Sequence, residues 1–499
     1  MNEIAQRTIA LRDLLCGFAR LERDIPITGL ALDSRKIKPG YAFLAVAGSR
    51  QHGIEHVRQA LANGAAAIVY EPGENIQQWL HQTGDTPLIA VENLSQLLGE
   101  VAARFFDDPS AKLRVIGITG TNGKTSCSQF LGQMLPGCAI IGTLGWGEWG
   151  KLRKTANTTP DALSIQGMLA EFVRLGSKAV AMEVSSHGLD QSRTAGIRFK
   201  GAIYTNISRD HLDYHGSMAA YVETKLALLN TPGLEFAVIN LDDSYSGQII
   251  AAVPAGVRPW GFSLSGNVLS DAETVCASDI RHMQRGIAFT VRWRGQQQAV
   301  SMPLFGDFNV ENVLAVLTAL LALDVTLADA IQAVKRLQPV PGRMQCLEAA
   351  RQGLLVFVDY AHTPDALENV LRSLRQHPKH ALWLVFGCGG ERDKGKRALM
   401  GSIAERWADH VVLTDDNPRG EDGGTIIQDI LAGCRSDRIE MMRDRRTAIR
   451  SVIGNAQRDD CVVIAGKGHE DYQEIAGRRI PFSDSAVAAE ALRAREKQR

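Results

Sequence analysis

Val115-Ile116-Gly117-Ile118-Thr119, followed directly by Gly120-Thr121-Asn122-Gly123-Lys124-Thr125, decides the fold of the segment around it. The short β-branched run reads as a buried strand. The glycines after it permit a tight turn whose amides come close to phosphate, Lys124 can reach the terminal phosphates, and the Thr125 hydroxyl can ligate Mg²⁺. The usual phosphate loop (P-loop) has glycine at the position held by Ile118; here glycines fall at 117 and 120. Strand before, Lys-Thr after and helix beyond make this a nucleotide-phosphate site.

Outward from the loop, residues 93–340 alternate strand and helix. Strands are expected at Val115–Thr119, Lys178–Val184, Gly201–Thr205 and Phe236–Asn240. Helices are expected at Thr125–Leu135, Ala162–Leu175 and Met218–Leu229. Such alternation gives a mostly parallel sheet with helices on its faces. A β-rich, polar stretch over 256–306 and a long apolar helix at Asn309–Leu323 close this segment. Residues 1–92 read as a small α/β unit with strands at Tyr41–Ala47, Ala65–Tyr70 and Pro87–Val91 and a helix at Ile54–Ala62. A helix at Leu94–Phe106 leads from it toward the phosphate loop. After Pro339-Val340-Pro341-Gly342, residues 341–499 alternate again, with strands at Leu354–Val358, Ala381–Phe386, Val411–Leu413 and Cys461–Ala465. That pattern predicts a Rossmann-like doubly wound domain. The fold expected is therefore α/β in three domains, with sites in the clefts between them.

Composition narrows the class. The 499 residues carry 55 basic and 55 acidic side chains, so no nucleic-acid surface or basic membrane patch is indicated. The eight cysteines include no Cys-x-x-Cys pair, which favours reduced thiols over a disulfide framework or zinc site. No stretch reaches the ~20 apolar residues of a membrane helix, and residues 1–20 lack an apolar signal core. A cytoplasmic protein without nucleic-acid or membrane partners is expected.

Several strand ends carry chemistry. Glu183 ends a strand beside the phosphate-loop sheet and is placed for Mg²⁺, although an ion-paired glutamate would look the same. The run Asn206-Ile207-Ser208-Arg209-Asp210-His211 is dense in polar side chains for a plain loop. Lys225, read alone, is a surface lysine. Asp359 could approach a ribose or adenine, or simply cap a helix. Gly387–Arg397 opens backbone amides and supplies four cations (Arg392, Lys394, Lys396 and Arg397), which suits an anion. Thr414–Arg419 and Ala465–Asp471 lie at two further strand ends. Asp416 and Glu470 against Arg392 and Arg419 fit a zwitterionic ligand.

Together the motifs at Gly120–Thr125, Met182–Leu189, Asn206–Gly216, Asp359–Asp365, Gly387–Arg397, Asp416–Arg419 and Gly466–Asp471 resemble the Mur ligases, the ATP-dependent amino-acid ligases of peptidoglycan precursor synthesis. The resemblance spans nearly the whole chain and implies UDP-binding, ATP-binding and amino-acid-binding domains. Within the family it is strongest to the member that adds the third residue, meso-diaminopimelate, to UDP-N-acetylmuramoyl-L-alanyl-D-glutamate. It implies that Leu32, Ser34, Ser49, Arg50 and Gln51 hold the UDP end, and that Asn157, Thr158, Thr159, Ser185, Gln191 and Arg193 contact the muramoyl-dipeptide. Thr119, Gly120, Thr121, Asn122, Gly123, Lys124 and Thr125 would bind the ATP phosphates, with Asn309, Arg343 and Asp359 around the nucleotide. Thr125, Glu183, His211 and Lys225 would serve Mg²⁺, Lys225 as a carbamate, which turns a cation into a carboxylate. His211 is also a candidate base for the amine. Arg392, Asp416, Asn417, Pro418, Arg419, Gly466 and Glu470 would hold diaminopimelate, Arg419 with Arg392 on its distal carboxylate and Gly466 with Glu470 on its distal amine. A monomer is expected.

Two other classes share parts of this pattern. A folylpolyglutamate synthase would share the phosphate loop and carboxylate activation, but not the Asp-Asn-Pro-Arg run or the long N-terminal unit. A nucleotide switch or motor ATPase is the other; a GTP switch would show Asn-Lys-x-Asp, which does not occur here.

Overall fold

The structure is a computed structural model and describes residues 8–48, 51–74, 76–283, 285–348, 353–377, 381–436 and 439–497. Three sheets dominate. The first is parallel, with strands Gly29–Ala31, Tyr41–Ala45, Ala67–Tyr70 and Leu88–Ala90 in sequence order. Alternate residues go to opposite faces. Ala42, Leu44 and Val69 meet Leu94, Leu98 and Val101 of the helix Leu94–Phe105, while Phe43 and Ile68 meet Val57 and Ala60.

The second sheet has ten strands among the described residues, with Arg114–Thr119 between Phe199–Tyr204 and Ala179–Glu183, parallel to both. Ile116 and Ile118 face Phe130 and Leu131 of the helix Lys124–Met134 and Val313 and Leu317 of the helix Asp307–Ala322. Val115 on the other face packs with Leu169, Phe172 and Val222. The parallel part continues through Phe236–Asn240, Arg258–Ser263 and Glu273–Met283. Gly286–Trp293 and Gln296–Met302 then add an antiparallel edge. This edge is the β-rich stretch expected over 256–306.

The third sheet runs Gln345–Glu348, Leu355–Asp359, Cys461–Ala465, Leu382–Phe386, His410–Leu413, Glu440–Met441. Every pairing but the first is parallel, so four polar loops leave from one edge.

Some elements differ from expectation. The helix expected at Ile54–Ala62 opens as a 3₁₀ turn, Gly53–His56, because His52 caps it: Ile54 N–H donates to His52 Nδ1 at 3.1 Å. The helix expected to reach Leu229 ends as α-helix at Leu226 and finishes as a 3₁₀ turn. Strands Cys138–Gly142 and Gly145–Glu148 were not expected, because Gly142, Gly145 and Gly147 interrupt the apolar pattern.

Candidate active site

The phosphate loop joins Arg114–Thr119 to the helix Lys124–Met134. Ile118, where the usual loop has glycine, is a buried strand residue paired in register with Glu183. The turn itself begins at Gly120, with φ 146°, and Gly123 follows at φ 85°. A Cβ on Gly120 would lie 1.9 Å from Thr205 Oγ1, and one on Gly123 would lie 2.4 Å from Asn312 Oδ1. The next loop anchors this one: the Thr121 N–H donates to Asn206 O at 2.8 Å and the Asn122 N–H to Asn206 Oδ1 at 2.9 Å. Lys124 Nζ donates back to Gly120 O and Thr121 O, both at 2.8 Å. Thr119 is the last residue of the strand, buried, with its Oγ1 unpartnered among the described residues, and it is not among the residues lining the cavity.

Glu183 is the hub. Fully buried, it accepts from Thr125 Oγ1 at 2.9 Å, Thr143 Oγ1 at 2.9 Å, Thr143 N–H at 2.9 Å and Ser128 Oγ at 3.3 Å. Arg343, arriving from the third segment, donates to Thr125 Oγ1 at 3.2 Å and lies over the Tyr360 ring at 4.3 Å. Arg343 thereby joins a phosphate-loop hydroxyl to the domain that carries Asp359.

Lys225 corrects the surface reading. Tyr221, Val222 and Lys225 form one buried face of the helix Met218–Leu226. Lys225 Nζ donates to Gly120 O at 2.9 Å and lies 4.6 Å from the Tyr221 ring centroid. Burial, reinforced by the nearby Lys124 cation, holds its pKa well below the ordinary lysine value. His211, half exposed with φ 53°, sits 3.4 Å from Asp210 and edge-on to His187. Burial, with help from His187, Lys124 and Lys225 and against Asp210, lowers its pKa to about 4. Among the described residues no group of three or more His, Cys, Asp or Glu side chains is arranged to hold a metal.

These groups border a cavity of about 630 Å³ whose far wall is Asp359, Tyr360, His362 and Asp365. Asp359 is buried; it accepts the Met344 and Ala361 N–H groups, while burial raises its pKa. Asp365 accepts from Asn122 Nδ2 at 3.2 Å and Ser208 Oγ at 3.3 Å. Asn309 does not reach the cavity: it is buried, donating to Phe305 O and accepting from Asn312, and Asn312 lines the cavity instead.

The residues expected around a muramoyl-dipeptide form one network touching Glu183. Thr159 Oγ1 donates to Glu183 O at 3.0 Å and lies 3.0 Å from Ser185 Oγ. Arg193 donates to Thr159 O at 2.8 Å and to Gln191 Oε1, and Thr158 Oγ1 is 3.0 Å from Thr143 Oγ1. Asn157 is exposed beside them. In the first sheet, Leu32 and Ser34 follow one strand and Gln51 follows its parallel neighbour, so both lie at one sheet edge. Ser34 Oγ is turned inward to Gln59 Oε1 at 2.8 Å. Ser49 and Arg50 lie outside the described residues.

The third-sheet loops sort differently from expectation. Of the four cations in Gly387–Arg397, Arg397 is wholly buried against Glu421 and Asp429 at 3.0 and 2.9 Å. Lys394 faces Glu421 at 3.6 Å, Lys396 donates to His362 O at 2.8 Å, and Arg392 remains exposed. Two of these cations, Arg397 and Lys396, are thus engaged within the protein, while Lys394 and Arg392 stay exposed. Arg419, with φ 55°, rests one nitrogen on Gly390 O at 2.6 Å. Pro418 is buried before it, and its carbonyl would lie 2.0 Å from a Cβ on Gly390. Asp416 is buried, which raises its pKa against the pull of Arg445 and Lys467. A Cβ on Gly466, at φ 113°, would lie 2.4 Å from Asp416 Oδ2.

Three family models match the chain in succession: the Mur ligase family catalytic domain over residues 26–106, the Mur ligase middle domain over 118–320, and the Mur ligase glutamate ligase domain over 342–468. The chain belongs to the Mur ligase family. This Mur ligase is 46% identical over 479 residues to a protein of Alkalilimnicola ehrlichii named UDP-N-acetylmuramoyl-L-alanyl-D-glutamate–2,6-diaminopimelate ligase, covering 94% of this chain and 95% of that one. A solved structure of a protein with that name superposes with a TM-score of 0.70 at 37% identity, covering 98% of this chain and all of the other. Folylpolyglutamate synthase of Mycobacterium tuberculosis, solved with ADP and AMPPCP, shares the fold at a TM-score of 0.62 and 18% identity, covering 80% of this chain and 95% of that one.

As a member of this family the protein is a ligase, and its cavity can do what a ligase needs. It offers a cradle of amides and Lys124 for an anion, hard oxygen donors at Thr125 and Glu183, and walls from two domains. No described helix is long and apolar enough to cross a membrane. Thr143, Ser128, Asn312 and Tyr221 escaped the sequence reading. Thr143 follows a glycine-broken strand, and the other three are revealed only by helix packing.

Proposed function

We propose that this Mur ligase uses ATP to join meso-diaminopimelate to UDP-N-acetylmuramoyl-L-alanyl-D-glutamate in the cytoplasm, acting as a monomer. One observation carries the reading: Thr125, in the first turn of the helix after the phosphate loop, meets Glu183 at the adjacent strand end at 2.9 Å, with Arg343 from the third domain on the same hydroxyl. Phosphate loop, acid and C-terminal domain therefore converge where a carboxylate would be phosphorylated. The names of relatives sharing almost half of its residues supply the acceptor and the amino acid.

A carboxylate and an ammonium do not condense in water. In the reaction we propose, the D-glutamyl γ-carboxylate attacks the γ-phosphate of ATP, giving an acyl phosphate and ADP. The unprotonated amine of diaminopimelate then attacks the acyl carbon, and phosphate leaves. Lys124 swings from the Gly120 and Thr121 carbonyls to the transferring phosphoryl group, largely an electrostatic and positioning task. Ser185, Thr159 and Arg193 hold the acceptor beside Glu183. Leu32, Ser34 and the loop ending at Gln51 take its UDP end. Arg343 and Asp359 enclose the nucleotide, and the third domain presents the amine by closing on the second.

The donor set fits Mg²⁺, which prefers oxygen, keeps several waters and takes one or two carboxylates plus phosphate. Thr125 and Glu183 would hold it; it would supply charge neutralisation at the phosphates. Lys225 as an ammonium is a donor and cannot ligate; its lowered pKa favours the neutral amine that reacts with CO₂, and the carbamate would be a ligand. His211, neutral above about pH 4, has the form that ligates or accepts a proton.

Arg419 supports the choice of amino acid. With one nitrogen on Gly390 O, the rest of its planar fork is available for a second carboxylate, the group that distinguishes diaminopimelate from lysine. The test is ADP release with UDP-muramoyl-dipeptide and diaminopimelate, lysine or glutamate in turn. Release that depends on diaminopimelate is expected. Release indifferent to the amino acid would overturn the assignment.

A further inference from the structure

The loop after strand Cys461–Ala465 contains a cation that the proposed chemistry does not use. Lys467 is wholly buried. Its Nζ donates to Asn417 Oδ1 at 2.9 Å and to Glu470 Oε2 at 2.8 Å. Asn417 Nδ2 donates to the same Oε2 at 2.8 Å, which closes a Lys–Asn–Glu ring between two strand-end loops. Asn417 Oδ1 also accepts the Glu474 N–H at 2.9 Å, so the amide has one orientation that satisfies every partner.

The ring leaves few choices. Glu470 Oε2 already accepts two donors, and Oε1 is the oxygen with capacity for another. Arg445, the other buried cation here, is taken up by Asp484 through two bonds of 2.8 Å and donates to Ala465 O at 2.9 Å. Lys467 is thus the cation paired with Glu470 that also acts on Asp416, and without it the buried Asp416 and the partly buried Glu470 would repel each other with less compensation. A buried charge stripped of its partner is costly, and the groups around it rearrange.

We infer that Lys467 is a positioning residue for the amino-acid substrate: it turns Oε2 of Glu470 inward and presents Oε1 to a cationic ligand group. This inference rests on the amino-acid site proposed above. Lys467 itself touches no substrate; it acts through Glu470 and Asn417.

The test is steady-state ADP release by the full-length protein and its Lys467→Met, Glu470→Gln and doubly substituted forms, reading KM for diaminopimelate and for ATP. Lys467→Met is expected to raise KM for diaminopimelate about tenfold, the scale of a charge-assisted hydrogen bond, with KM for ATP unchanged. The double variant should be no worse than Glu470→Gln alone, because the two residues act as one unit. Lys467→Gln, which keeps a donor toward Asn417, should fall between wild type and Lys467→Met and serves if the methionine variant does not fold. Multiplying losses in the double variant, equal losses toward ATP, or an unchanged KM in a folded variant would overturn the role of Lys467 alone. If the unsubstituted protein releases ADP without regard to amino acid, the site assignment falls, and this inference with it.

Discussion

Glu183 has both carboxylate oxygens engaged by Thr125, Thr143 and Ser128, all within 3.3 Å. Such support fixes the orientation of the acid proposed to hold Mg²⁺ beside the phosphates. Glu183→Gln should lower kcat by more than about 100-fold, and Thr143→Val, which removes a supporting donor, by about 10–100-fold. Circular dichroism should show both variants folded, and an unchanged kcat would contradict the placement. At the other end of the site, Arg419→Lys should raise KM for diaminopimelate roughly tenfold while sparing ATP, since lysine lacks the planar fork. Single residues were the least legible from sequence. Lys225 looked like a surface lysine because its burial comes from a helix packed beneath a loop a hundred residues earlier. Lys467 stood in a noticed motif, but its pairing with Asn417 spans fifty residues and no local pattern reports it.

At the scale of elements, the phosphate loop is held by what surrounds it as much as by its own glycines. Gly120 has no space for a Cβ beside Thr205, and its φ of 146° strains any other residue. Gly120→Ala should therefore cost about 1–3 kcal/mol of stability and weaken ATP binding; denaturant unfolding and calorimetric titration with ATP would measure both. A variant as stable as the parent would show that the loop can shift. Strands of these sheets were legible where the run is apolar, as in Phe-Ala-Val-Ile at 236–239 and in Cys461–Ala465. The strand Cys138–Gly142 was not, although a Cβ on its Gly142 would lie 2.1 Å from Glu183 Oε1. The glycine that hid the strand is also what lets the acid fit against it.

Across the whole molecule, the second and third domains meet through polar contacts: Asp365 with Asn122 and Ser208, Arg343 with Thr125, and Lys154 with Asp471. His362 and His469 lie near this junction, each lowered by burial from 6.5 to about 4. Between about pH 6.5 and 4 these two histidines therefore bind more protons in the unfolded chain than in the folded one, so their share of folding stability should fall as pH drops through that window. The contribution is absent above pH 6.5 and complete below 4. Thermal unfolding against pH would measure it, and replacing both histidines by glutamine should flatten the slope; an unaltered slope would place the linkage elsewhere. The order of three α/β domains was readable from alternating patterns, whereas the way two of them enclose one cavity depends on distant pairs such as Arg343 and Thr125.

The central claim is that this cavity activates a carboxylate by phosphorylating it, and oxygen tracing tests that most directly. With ¹⁸O in the γ-carboxylate of the UDP-muramoyl-dipeptide, turnover with ATP and diaminopimelate should place one labelled oxygen in the released phosphate, read by mass spectrometry. Unlabelled phosphate formed alongside ligated product would contradict the acyl-phosphate route.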